Sequence, residues 1–90
     1  MEESKKIKIL LIDDDLRLQA VIMDFFLPYG FAVETLPSGE HVYETLLKFS
    51  PDIILLDVML PGEDGFSILK RIRSAHATPL IMLTARGEDT

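Results

Sequence analysis

Ninety residues allow one small domain, near the lower end for a self-sufficient core. The formal charge of −6 argues against a segment that grips a nucleic-acid backbone, and a chain without cysteine has no disulfide framework, thiolate metal site or thiol nucleophile. Residues 1–8 are charged and hold no signal-peptide core, and no apolar run nears the roughly 20 residues of a membrane span, so a cytoplasmic address is the expectation.

Ile7 to Ile12 is apolar except for Lys8 and closes on Asp13, Asp14 and Asp15. It predicts a first strand, central in its sheet. Leu18, Val21, Ile22 and Phe25 follow at i, i+3, i+4, i+7, the spacing of one helix face. Asp15 is placed to cap that helix, and Pro28 with Gly30 to end it. Phe31 to Leu36 alternates loosely and predicts a second strand at an edge. In the turn Pro37-Ser38-Gly39, Ser38 is a candidate cap. Val42, Leu46 and Phe49, widened by Tyr43 and Leu47, predict a second helix, and Ser50-Pro51-Asp52 breaks it.

Ile53-Ile54-Leu55-Leu56-Asp57 is a purely apolar run that ends on one carboxylate. Short and rich in branched residues, it suits a strand buried on both faces. A loop with Pro61 and Gly65 follows at once. Gly65, Ile68, Leu69 and Ile72 then predict a third helix, with Lys70, Arg71 and Arg73 as its solvated face. Pro79 opens a fourth strand, Leu80 to Leu83, ending on Thr84, and Ala85 to Thr90 approaches another helix.

Strands alternating with helices imply right-handed crossovers and a parallel sheet covered on both faces, a three-layer α/β domain. All strands then point one way, so Asp13, Asp14, Asp57 and Thr84 gather at one edge. If the first helix covers one face and the next two the other, the first and third strands are neighbours, and the winding reverses between them to leave a crevice. Two carboxylates about 4 Å apart repel by roughly 4 kcal/mol at an effective dielectric near 20. Such a cluster takes up protons or binds a cation. All-oxygen ligands suit a hard divalent ion, and Mg²⁺ suits a site where a phosphate joins the sphere. Beside it, Asp57 is a candidate nucleophile toward a phosphoryl group, with Thr84 a hydrogen-bond donor to the product. His41 and His76 have no ligand partner at useful spacing.

Three segments carry a resemblance: Leu11-Ile12-Asp13-Asp14-Asp15, then Leu56-Asp57-Val58-Met59-Leu60-Pro61-Gly62-Glu63-Asp64-Gly65, then Ile81-Met82-Leu83-Thr84-Ala85. In order and spacing they resemble the receiver domain of two-component response regulators, and most nearly its OmpR-type transcription-factor subfamily. The resemblance implies a flavodoxin-like parallel sheet of order 2-1-3-4 in this chain. It implies that Asp57 is the phosphoacceptor and Thr84 the switch hydroxyl. Asp14 and Asp57 become direct Mg²⁺ ligands, Asp13 acts through water, and the Met59 carbonyl completes the set. It implies a sensor histidine kinase as partner, a DNA-binding output elsewhere, and aspartyl self-phosphorylation rather than enzymatic turnover.

The family continues with a fourth helix, a fifth strand bearing a lysine, and a fifth helix. Residues 1–90 reach only the start of that fourth helix. The expectation for this chain alone is weak phosphoryl chemistry, no transmission to an output, a partly exposed Phe25 or Phe26, and an unpaired fourth strand that recruits or exchanges with a second copy. Two rival readings remain. One is a receiver-like interaction module without phosphorylation. The other is a haloacid-dehalogenase-type phosphatase using Asp13, which wants Thr or Val where Arg17 stands.

Overall fold

A computed structural model describes residues 6–60 and 62–83. Its elements are β1 (Lys8–Ile12), α1 (Leu16–Phe26), a short 3-10 turn (Leu27–Tyr29), β2 (Ala32–Leu36), α2 (Val42–Phe49), β3 (Ile53–Asp57), α3 (Gly65–Arg73) and β4 (Leu80–Leu83). The strands form one parallel sheet of order β2-β1-β3-β4. The alternation implied the three-layer parallel sheet, and the flavodoxin-like order is the one the family resemblance implied. Ala85 to Thr90, read as the approach to a helix, lie outside the described residues, as does Thr84.

β1 is central because its neighbours pair with it in direct register: Ile12 sits opposite Leu36 on one side and Leu56 on the other. Its last four residues are buried. Strand side chains alternate between faces, and the even-numbered set meets α2 and α3. Leu10, Ile12, Ile54 and Leu56 pack with Val42, Leu46, Leu60, Ile68 and Ile72 into one closed cluster. On the opposite face α1 contributes no fully buried residue.

The α1 stripe differs from its sequence reading. Val21 and Phe25 are 60% and 59% exposed, while Leu18, Ile22 and Phe26 are half-buried. The helix docks along this i, i+4 row, one of the natural ridges of a helix surface. Phe26 is drawn in by the returning chain, where the Phe31 ring meets it edge-on with centroids 5.0 Å apart. Asp15 caps α1 as its position implied, its carboxylate accepting from the amides of Arg17 (2.9 Å) and Leu18 (3.2 Å). The stop is a left-handed Gly30 after the 3-10 turn that contains Pro28.

Two details on α2 also differ. Ser38 does not cap the helix; its hydroxyl accepts from the Glu40 amide at 3.2 Å and shapes the turn instead. His41 stands at the cap position without a side-chain cap bond. Leu47 is 75% exposed, because the eight-residue helix buries one stripe, Val42 and Leu46, while on the neighbouring row it is Tyr43 that meets α3, at Arg71.

Candidate metal centre

Asp13 leaves the end of β1 and Asp57 is the last residue of β3. In the alternation both fall on the side of Leu11 and Leu55, the α1 side. Direct pairing of β1 with β3 brings the two strand ends together. The backbone fixes them there: the Asp13 amide donates to the Leu36 carbonyl at 2.9 Å and the Val58 amide to the Leu83 carbonyl at 3.0 Å.

Asp13, Asp14 and Asp57 each offer a carboxylate oxygen, and these oxygens all lie within 4.8 Å of one another. Asp13 and Asp57 are each only 5% exposed, whereas Asp14 is open to solvent. One Asp13 oxygen accepts the Asp15 amide at 2.9 Å, and one Asp57 oxygen accepts the Met59 amide at 3.0 Å. The Gln19 side chain steadies this corner from α1 by donating to the Asp13 carbonyl at 2.8 Å. The Asp13 carboxyl is raised above the usual 3.8, first by burial and then by the nearby Asp57, Asp14 and Asp15 charges; the Asp15 amide opposes them. Three hard oxygen donors with unrelieved mutual repulsion fit a small divalent cation.

The cluster opens into a cleft of about 460 Å³ whose walls include Leu18 and Ile22 of α1, Leu55, Met59 and Leu83. Met59 is 58% exposed at its rim. The ends of the loop after Asp57, at Val58 and Asp64, are drawn tight against the start of α3. The Gly65 amide donates to the Val58 carbonyl at 3.0 Å, and a Cβ on Gly65 would stand 2.6 Å from the Asp57 carbonyl oxygen and the Val58 Cα. Glycine is required by that close approach. Asp64 then caps α3 through the Ser67 amide at 2.9 Å.

Sequence reading brought together Asp13, Asp14 and Asp57 and missed Arg71. Rather than joining the solvated face of α3, Arg71 turns to the loop after Asp57 and pairs with Glu63, while its second prong reaches the Gly39 carbonyl at 3.2 Å. Its ring neighbour Tyr43 lies 5.8 Å away. The only sequence signal was a basic residue eight positions after an acidic one across a helix start, which is too common to single out.

Residues 9–90 match the family described as the response regulator receiver domain. The chain is 36% identical over 89 residues to the transcriptional regulatory protein ResD of Bacillus subtilis, covering 99% of this chain and 37% of ResD. It is 45% identical over 82 residues to the transcriptional regulatory protein CpxR of Escherichia coli, covering 91% of this chain and 35% of CpxR. The chain therefore spans just over a third of the length of these relatives. Among solved structures, the BeF3-activated N-terminal receiver domain of Klebsiella pneumoniae RstA superposes with a TM-score of 0.81 at 30% identity, over 91% of this chain and 70% of that one. The chemotaxis protein CheY4 of Vibrio cholerae gives 0.83 at 28% identity, over 93% and 72%. An acidic cluster at the carboxyl edge of a 2-1-3-4 parallel sheet and a family match over nearly the whole chain agree: this chain belongs to the receiver domains of two-component response regulators.

Proposed function

We propose that residues 1–90 are the amino-terminal part of a cytoplasmic receiver that takes a phosphoryl group from a sensor histidine kinase onto Asp57. The observation that carries this reading is the convergence of three carboxylate oxygens from two separate strand ends within 4.8 Å. Asp14 and Asp57 would ligate Mg²⁺ directly, Asp13 through water, and Met59 through its carbonyl. When bound, that ion supplies charge neutralisation for the phosphoryl oxygens in flight.

The chain's own residues do the rest. An Asp57 oxygen attacks phosphorus in line; the phosphorus–nitrogen bond of the donor phosphohistidine breaks, and the imidazole leaves with the electron pair and takes up a proton. The Met59 amide holds the other Asp57 oxygen and so orients the attack. Asp13 and Asp14 keep the site acidic and metal-seeking. The Thr84 hydroxyl is assigned the contact with the new phosphoryl group by family resemblance. Phosphorylation adds about −1.5 to −2 charge at this edge, and that charge biases a pre-existing equilibrium of surfaces that controls a DNA-binding output.

Acetyl phosphate or beryllofluoride treatment with Mg²⁺ tests the reading. Modification should map to Asp57 and vanish in Asp57→Asn; modification at Asp13, or none at saturating Mg²⁺, would refute it. Self-association of the 90-residue chain is a further expectation. Among the described residues β4 pairs on one side only, and Ile81 on it is 50% exposed, the kind of apolar edge that recruits another strand. Light scattering should find a dimer; a clean monomer over the accessible concentration range counts against it.

A further inference from the structure

We propose that Arg71 is a positioning residue for the acidic site, holding through Glu63 the loop that carries Met59. The inference rests on the reading of Asp57 and its neighbours as a Mg²⁺ site. Three segments meet at this guanidinium. Glu63 comes from the loop after Asp57, and the Gly39 carbonyl from the turn before α2. Tyr43 of α2 lies beside it and donates its hydroxyl to the Arg71 carbonyl at 2.5 Å. Arg71 and Glu63 side chains are 40% and 32% exposed, so solvent screens the pair less than a pair at the open surface. The hydrogen bond that Arg71 donates to Glu63 holds the Arg71 proton more firmly than usual, and Tyr43 adds to it against partial burial.

The packing leaves little slack. Gly39 is buried, and a Cβ there would meet Ile68 at 2.8 Å and the Glu63 Oε1 at 3.0 Å. The loop is fixed at Val58 by the Leu83 and Gly65 bonds and at Asp64 by the α3 cap. Between those ends Leu60 is sunk in the core, and Glu63 adds the polar tie, to Arg71 of α3. Met59 lies in the same span, its amide on Asp57. Releasing Glu63 leaves Leu60 alone to hold the span, which loosens the Met59 carbonyl beside it. Arginine suits the role because its planar fork holds a carboxylate and a carbonyl in one fixed geometry, whereas a lysine offers a single point charge on a flexible stem.

The test is Mg²⁺ affinity of the full chain by NMR titration, for the wild type, Arg71→Gln, Glu63→Gln and the double variant. Amide exchange is followed in the same samples without metal. A positioning tie predicts that both single variants weaken Mg²⁺ binding by about 2- to 5-fold, the span of a partly exposed ion pair. The double variant should be no worse than either, and Arg71→Lys should fall between wild type and Arg71→Gln. Long-range charge predicts a different pattern: Arg71→Gln tighter, Glu63→Gln weaker, the double near wild type. That pattern, or no change in either single variant, overturns the proposal. If the wild type itself fails to bind Mg²⁺, the metal reading falls and exchange decides the clamp. Faster exchange of the Met59, Leu60, Gly62 and Glu63 amides in Arg71→Gln, with β1 unchanged, supports it; unchanged exchange refutes it.

Discussion

The two faces of this sheet are built to different standards. Against α2 and α3 the chain closes a core in which Leu10, Ile12, Ile54, Leu56, Ile68 and Ile72 are wholly buried. Against α1 no helix residue is fully buried, and a largely apolar groove runs between Phe26, Phe31, Ile53, Leu55 and Ile81. Yet the acidic site lies on the α1 side, with Leu18 and Ile22 in its wall. The difference teaches a division of labour: one face holds the closed core, and the other, beyond Ile9 and Leu11, carries charges that cost stability.

The largest expected effect tests that division directly. Ile68→Ala or Ile72→Ala should lose about 2–5 kcal/mol, the usual cost of emptying a closed core. Phe25→Ala on the other face should lose about 0.5 kcal/mol or less. Urea midpoints at constant slope would show it, and equal losses would abolish the contrast. Gly65→Ala comes next, at about 1–3 kcal/mol, because a methyl group has no room beside the backbone of Asp57 and Val58. It should also weaken Mg²⁺ binding, since the loop must shift to admit it. Asp15→Ala removes a two-bond cap from α1 and should cost about 1 kcal/mol in the same assay.

The smallest effect has the opposite sign. Asp13 is raised above 3.8 in the folded chain, first by burial. The native state therefore keeps a proton that the unfolded chain has already lost. Metal-free stability must fall as pH rises from 3.8 through the raised folded value. Asp13→Asn removes that loss, so its metal-free melting temperature at neutral pH should exceed the wild type's. Saturating Mg²⁺ should reverse the order, because the wild type alone keeps the full set of acidic groups for the cation.

Much of this was legible because burial and chemistry fall on the same short runs. Ile53 to Leu56 is apolar without interruption and stops on Asp57, so strand, direction and site are read in one stretch. The Asp15 cap followed for a similar reason, whereas the full strand order came with the family resemblance. What was not legible depended on partners far away in the chain. Periodicity alone cannot choose between the Val21–Phe25 row and the Leu18–Ile22–Phe26 row, which lie side by side on one helix; the meeting of Phe26 with Phe31 decides it. Leu47 fits its stripe in sequence, but among the described residues it is left 75% exposed. Arg71 looks like any basic residue near a helix end, and its role emerges only when Gly39, Tyr43 and Glu63 converge on it.

The bond from the Asp15 amide to Asp13 joins the site to the first turn of a helix that is short and shallowly seated. Eleven residues are too few to persist as a helix in water without help from packing. If that opening turn were to open, the Asp13 carboxylate would lose its tether to the Asp15 amide. The proposed ion's residence should then depend on the α1 entrance, and stiffening that single turn is expected to lengthen it while leaving every proposed ligand unaltered.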